Sequence, residues 1–142
     1  MNPLPSFPYH RDPVASGSIK QSESECQCCG VKSGVIYSGV IYASSSVKNI
    51  CPWCIADGSA EKKLDACFFD AQFCDEAGEE VIMPASVHRE VFFRTIGFST
   101  WNPIGWWVHC GRPAEFVCRR EPYDLVFECR SCHKQHVIQD LD

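Results

Sequence analysis

A chain of 142 residues with 45% hydrophobic side chains can bury the core of one ordinary domain, or of two small lobes sharing an interface. No apolar run approaches the ~20 residues that cross a bilayer, and an excess of 18 acidic over 13 basic residues, formal charge −5, disfavours general binding to a phosphate backbone, which draws on basic patches. The opening MNPLPSFPYH has no apolar signal region, so we expect a cytoplasmic protein whose 11 cysteines act as ligands or free thiols rather than bridges.

The first organised segment is Cys26-x-x-Cys29, followed directly by Gly30. A C-x-x-C turn aims two sulfurs at one point, and a glycine beside it can take the positive φ that turns backbone N–H groups toward them. Residues 34 to 43, GVIYSGVIYA, place β-branched and aromatic residues around Ser38-Gly39 and read as two short strands joined by a turn. Cys51-Pro52-Trp53-Cys54 then supplies a second pair, separated from the first by 21 residues. Ala60, Leu64 and Cys67 or Phe68 follow at helical spacing. Knuckle, hairpin, second pair and helix form the order of a treble-clef zinc finger, with Cys26, Cys29, Cys51 and Cys54 closing on one zinc ion. Two other readings compete. Disulfides conflict with the redox context, and a thiol redox protein working through Cys51 and Cys54 would need a βαβ frame where a hairpin and another C-x-x-C stand. Cys28, inside the first pair, offers a reactive thiol beside the metal site but reads better as a packed bystander.

Asp75, Glu76, Glu79 and Glu80 cluster around Ala77-Gly78 and read as a solvated turn, secondarily as a contact for a basic partner. Residues 84 to 95 open on a proline suited to a first helical turn and carry Val87, Val91 and Arg94 along one side; His88 reads as an exposed helix residue. Residues 98 to 110, FSTWNPIGWWVHC, hold Trp101, Trp106 and Trp107, interrupted by Pro103 and Gly105, which exclude a regular helix. We expect these tryptophans to fill the core. Any that is exposed would serve protein contact, since base stacking would call for neighbouring lysines.

Near the C-terminus Cys129-x-x-Cys132 lies between YDLVFE and KQHVIQD, giving strand, knuckle, strand: half of a zinc ribbon. Its missing ligands must come from upstream. The preferred second set is Cys110, Cys118, Cys129 and Cys132, with His109 as substitute; Cys67 and Cys74 are more distant candidates. Against this stands the reading of Cys110 and Cys118 as small buried hydrophobes. Two four-thiolate sites would take the charge from −5 to about −9.

Conventional catalytic motifs are absent: there is no H-E-x-x-H, G-x-S-x-G or phosphate loop. Pro52 lies between its cysteines, whereas the zinc deaminase signature places proline before the first. The expectation is a single α+β domain over residues 1 to 142, with zinc-centred sub-lobes over about 20 to 70 and 98 to 142, non-enzymatic and carrying one or two zinc ions.

The segments LPSFPYHRDPVASGSI, CQCCG, GVIYSGVIYA, CPWCIADGSA, FRTIGFSTW and WWVHC, together with VFECRSCHK in the tail, resemble the CbrC family of bacterial proteins, whose namesake is described as a colicin tolerance protein. The resemblance covers nearly all of residues 4 to 110, CPWCIADGSA being its most specific part. It implies Cys26, Cys29, Cys51 and Cys54 as matching positions, and an immunity-type protein that binds and neutralises, or confers tolerance to, a bacterial protein toxin. Family members commonly carry proline where this chain has Ile96 and a second cysteine where it has Ala114, which leaves Cys118 to stand in. The alternatives are a zinc-ribbon adaptor touching nucleic acid or the translation machinery, and the thiol redox protein.

Overall fold

The computed structural model describes residues 3 to 141. Strand β1 (Ile19–Gln21) pairs antiparallel with β2 (Val35–Tyr37), Ile19 opposite Tyr37. Helices α1 (Pro52–Ala56) and α2 (Ser59–Leu64) follow, then strand β3 (Phe73–Cys74), then α3 (Ala85–His88), which runs into a π-turn over Arg89–Phe93. Strand β4 (Trp106–His109) lies between β3, parallel to it, and β5 (Arg112–Pro113), antiparallel. Strands β6 (Glu115–Arg120), β7 (Asp124–Glu128) and β8 (Gln135–Gln139) form an antiparallel meander. No described helix is long and apolar enough to cross a membrane.

The structure corrects three local expectations. Residues 34 to 43 do not make a hairpin: β2 pairs upstream with β1, and Tyr42 forms an isolated bridge with Cys67. The Tyr37 hydroxyl donates to the Val40 carbonyl at 2.9 Å. A Cβ on Gly39 would lie 2.3 Å from that oxygen, so a ring occupies the space of the expected turn. The helix after Cys54 is split in two, because Gly58 adopts φ 82° at the junction and Asp65 ends α2 at φ 50°. Cys67 and Phe68 consequently lie beyond it. Finally, His88 is half-buried, its ring edge-on to Phe73 and Phe92 at 4.8 and 5.3 Å. The π-turn, closed by Arg94 N–H to the Arg89 carbonyl, drives Val91 and Phe92 into the interior.

Two apolar cores result. One gathers Phe7, Ile19, Tyr37, Ile50, Ile55, Phe68 and Ile96 around Cys26, Cys51 and Cys54. The other gathers Tyr9, Phe69, Phe73, Phe98, Trp106, Trp107, Phe116 and Phe127 with Cys129. Each fully buried large side chain contributes roughly 1.5–3 kcal/mol. Phe98 stacks on Phe116 at 3.7 Å between ring centres, and Trp106 Nε1 donates to the Ala114 carbonyl at 2.8 Å.

Three chain segments weld the cores by sending near neighbours to opposite sides: Phe7 and Tyr9, Phe68 and Phe69, Ile96 and Phe98. Gly97, at the third crossing, is required by close approach, since a Cβ there would fall 1.9 Å from the Phe68 carbonyl oxygen. Its own carbonyl accepts from Ser18 Oγ at 2.7 Å.

Candidate metal centres and an exposed tryptophan

Each core adjoins one cluster of metal-ligating side chains. In the first, Cys26, Cys29, Cys51 and Cys54 place their sulfurs within 4.8 Å of one another. The Cys26–Cys54 and Cys29–Cys51 sulfur separations are both 3.9 Å. Four sulfurs about 2.3 Å from a central zinc would stand about 3.8 Å apart, which these two separations match.

Local sequence explains how they arrive. Cys26 N–H donates to the Val31 carbonyl and Gly30 N–H to the Cys26 carbonyl, with Gly30 at φ 75°, closing the first knuckle. Tyr37 N–H donates to the Ile50 carbonyl, tying β2 to the approach of the second pair. Pro52 then starts α1, with Cys51 at its N-cap. Burial opposes ionisation of Cys26, but N–H groups of Cys51, Cys29 and Cys28 outweigh it and lower its pKa. Burial raises the Cys51 pKa to about 11, and burial, reinforced by the neighbouring Cys51, raises that of Cys54 further. Without a cation, such a cluster favours one thiolate over several. A divalent metal removes the mutual repulsion.

The second cluster is His109, Cys110, Cys129 and Cys132, its ligand atoms likewise within 4.8 Å of one another. His109 Nδ1 is 3.3 Å from the Cys110 sulfur and 3.4 Å from that of Cys132. The third knuckle repeats the first: Cys129 N–H donates to the Lys134 carbonyl and His133 N–H to the Cys129 carbonyl, with His133 at φ 66° where the first knuckle has glycine. Burial acts to raise the Cys129 pKa, but the Cys132 N–H, His109 and the Ser131 N–H together bring it down to about 6. Contacts with Cys129 and Cys132 push Cys110 up to about 11.

Of the preferred second set, the structure brings Cys110, Cys129 and Cys132 together and leaves Cys118 out. Cys118 sits in β6 opposite Val126, while His109 takes the fourth place. The cause is the two-residue turn Cys110-Gly111 between β4 and β5, with φ of 54° and 74°, the hallmark of a type I′ hairpin. It carries His109 and Cys110 side by side to the cluster. The signal was present as X-Gly between WWVH and RP. Cys67 and Cys74 join neither cluster, and burial raises the pKa of both, Cys67 to about 11. Burial likewise raises that of Cys28, which lies outside both sets.

The three tryptophans divide. Trp106 and Trp107 are fully buried on β4, whereas Trp101 is 59% exposed. Trp101 is held in place nonetheless. The fully buried Asp140 accepts from Trp101 N–H at 2.7 Å, Asn102 N–H at 2.9 Å and Asn102 Nδ2 at 3.1 Å. The Arg119 guanidinium lies 5.6 Å from the Trp101 ring centre and 3.6 Å from the Asp140 carboxylate, and the Tyr123 ring stands 5.9 Å away. Trp, Tyr and Arg are the residues enriched in interface hot spots.

A family model described as uncharacterised protein family UPF0167 matches residues 4 to 125. The chain is 44% identical to UPF0167 proteins of Mycobacterium bovis and Mycobacterium tuberculosis over 115 residues, 80% of its length. It is 43% identical to a UPF0167 protein of Pseudomonas aeruginosa over 110 residues, 76% of its length. The match spans 59% of the length of each of these relatives. No solved structure matches the chain.

Proposed function

We propose that this chain, which belongs to the uncharacterised protein family UPF0167, is a zinc-stabilised protein-binding module without catalytic turnover. The observation that carries the reading is the donor count: two clusters, each with four sulfur or imidazole ligands within 4.8 Å of one another. Sulfur-rich tetrahedral sets favour zinc, and four protein donors leave no coordination position for a reacting water. The metals then serve folding, in a treble-clef-like first centre and a zinc-ribbon-like second one, and the work falls to the surface.

That surface is acidic and presents Trp101 on a rigid mount. A negatively charged protein associates rapidly with a basic cleft, and a pinned aromatic side chain loses little entropy on docking. The resemblance to the CbrC family is what suggests the partner's class, a bacterial protein toxin whose action is blocked by occupancy. The redox alternative fits less well, because Cys51 and Cys54 share their cluster with Cys26 and Cys29.

The test is native purification from the cells that make the protein, counting zinc by mass spectrometry and comparing captured protein between the wild type and Trp101→Ala. Two zinc ions, with a captured protein lost from a variant that keeps both ions, support the reading. Metal-free protein with oxidised cysteines, capture insensitive to the substitution, or nucleic acid as the captured species would overturn it.

A further inference from the structure

We propose that Glu76 is the positioning residue of the second metal centre: its carboxylate faces His109 Nε2, holds the imidazole proton on that nitrogen and so leaves the Nδ1 lone pair for the metal. This deepens the zinc reading and rests on it. The two imidazole nitrogens face different neighbours. Nδ1 points at the Cys110 and Cys132 sulfurs, 3.3 and 3.4 Å away, while Nε2 lies 3.4 Å from Glu76 Oε1. A neutral imidazole carries one proton, and a nitrogen that binds metal must be the one without it. The proton therefore sits on Nε2, where a carboxylate both fixes the tautomer and strengthens Nδ1 as a ligand.

The surroundings hold both partners in place. Trp107 stacks on the His109 ring, 4.9 Å between centres at 28°, which sets the plane of the imidazole. Glu76 belongs to a turn closed by Asp75, whose Oδ1 accepts from the N–H groups of Ala77 and Glu79 at 2.9 and 3.0 Å. The acidic cluster that reads from sequence as a solvated turn thus reaches a ligand 33 residues further along the chain.

At 3.4 Å the contact is a charge pairing rather than an aligned hydrogen bond, and the Glu76 side chain is 45% exposed. Removing an outer-shell partner of a metal-bound histidine weakens metal binding by about 10–100-fold, and those two facts place Glu76 near the lower end. The rival role is mechanical: Lys134 Nζ also meets Glu76 Oε1, at 2.9 Å, and that pair alone could tether the turn to the knuckle that precedes β8.

Chelator competition on the zinc-loaded protein separates the two roles. In the wild type two equivalents of zinc are expected. In Glu76→Ala one of them should pass to the chelator about tenfold more readily while the other is unaffected. Glu76→Gln, whose amide oxygen keeps an acceptor facing Nε2–H, should recover part of the loss. Lys134→Met should hold both ions as tightly as the wild type. Nitrogen NMR of His109 should show a protonated, slowly exchanging Nε2 that exchanges faster in Glu76→Ala. A Glu76→Ala protein that keeps zinc like the wild type, or a Lys134→Met protein that loses it equally, would overturn the positioning role while leaving the zinc reading intact. A wild type binding a single equivalent, retained by His109→Ala, would overturn the second centre and the positioning role with it, and a wild type binding none would overturn the zinc reading as well.

Discussion

Replacing Asp140 by alanine should destabilise the protein by about 2–4 kcal/mol. The carboxylate is fully buried and accepts three hydrogen bonds, from Trp101 N–H, Asn102 N–H and Asn102 Nδ2, at 2.7 to 3.1 Å. Hydrogen bonds to a charged group are worth roughly 1.5–3 kcal/mol each, which alone would sum to more than we expect. Two effects reduce it. Trp101 and Asn102 are exposed, so water can satisfy the freed donors, and the variant no longer bears the desolvation of a buried carboxylate. Arg119, 3.6 Å from that carboxylate, loses its ionic neighbour but keeps its hydrogen bond to the Ser99 carbonyl. Asp140→Asn preserves one acceptor oxygen and should lose about half as much. The assay is urea unfolding of the zinc-saturated proteins, followed by circular dichroism for the fold and by tryptophan fluorescence for the Trp101 corner. A loss below about 1 kcal/mol for Asp140→Ala, with unchanged fluorescence, would refute the view that this carboxylate mounts the exposed tryptophan.

Two further outcomes bear on the centres and on the weld between the cores. Cys118→Ser should leave zinc stoichiometry at the wild-type value, whereas His109→Ala should lower it by one ion; native mass spectrometry decides, and metal loss in the Cys118 variant would restore that residue to the ligand set. His10 is held neutral in the interior, where burial lowers its pKa from about 6.5 to about 4 against the opposing pull of the Ile96 carbonyl and Asp12. The unfolded chain takes up this proton first, so between those pH values it binds more protons than the folded one and stability falls as pH falls. The loss approaches about 2 kcal/mol between pH 7 and 5. Measured as the difference between wild type and His10→Gln under saturating zinc, to cancel ligand protonation, the dependence should vanish in the variant; parallel curves would contradict it.

What the sequence shows of this molecule follows from how far apart the interacting residues lie. Two ligands on one tight turn are a local pattern, so the three C-x-x-C pairs and the strand-knuckle-strand tail were readable directly. The fourth ligand of the second centre depended on a hairpin turn whose donor, His109, lies next to the more conspicuous Cys110, and on excluding Cys118, which only its strand register in β6 settles. The expected hairpin over residues 34 to 43 had the right composition, yet Tyr37 folding over Gly39 diverted β2 to an earlier partner. Trp101 shares its segment with two buried tryptophans, and its exposure is fixed by Asp140, 39 residues away. No local periodicity reports such a contact. Family membership is shown by the match to the UPF0167 family over residues 4 to 125.

The crossing of residues 7 to 11 between the two cores bears on the order in which the molecule is completed. Tyr9 and Arg11 exchange backbone hydrogen bonds with Phe116, the Arg11 side chain pairs with Glu115 and Glu128, and His10 bonds the Ile96 carbonyl. At a synthesis rate of about 5–20 residues per second, this stretch waits roughly 5–20 s for partners about a hundred positions behind it. The four cysteines of the first cluster, the last of them Cys54, are all synthesised long before then. A metal taken up by the first cluster would then be captured while Tyr9 and Arg11 still lack their partners, and we expect the early segment to close late, like a clasp. Proteolysis of arrested nascent chains would reveal it as protection of the first centre that precedes protection of residues 7 to 11.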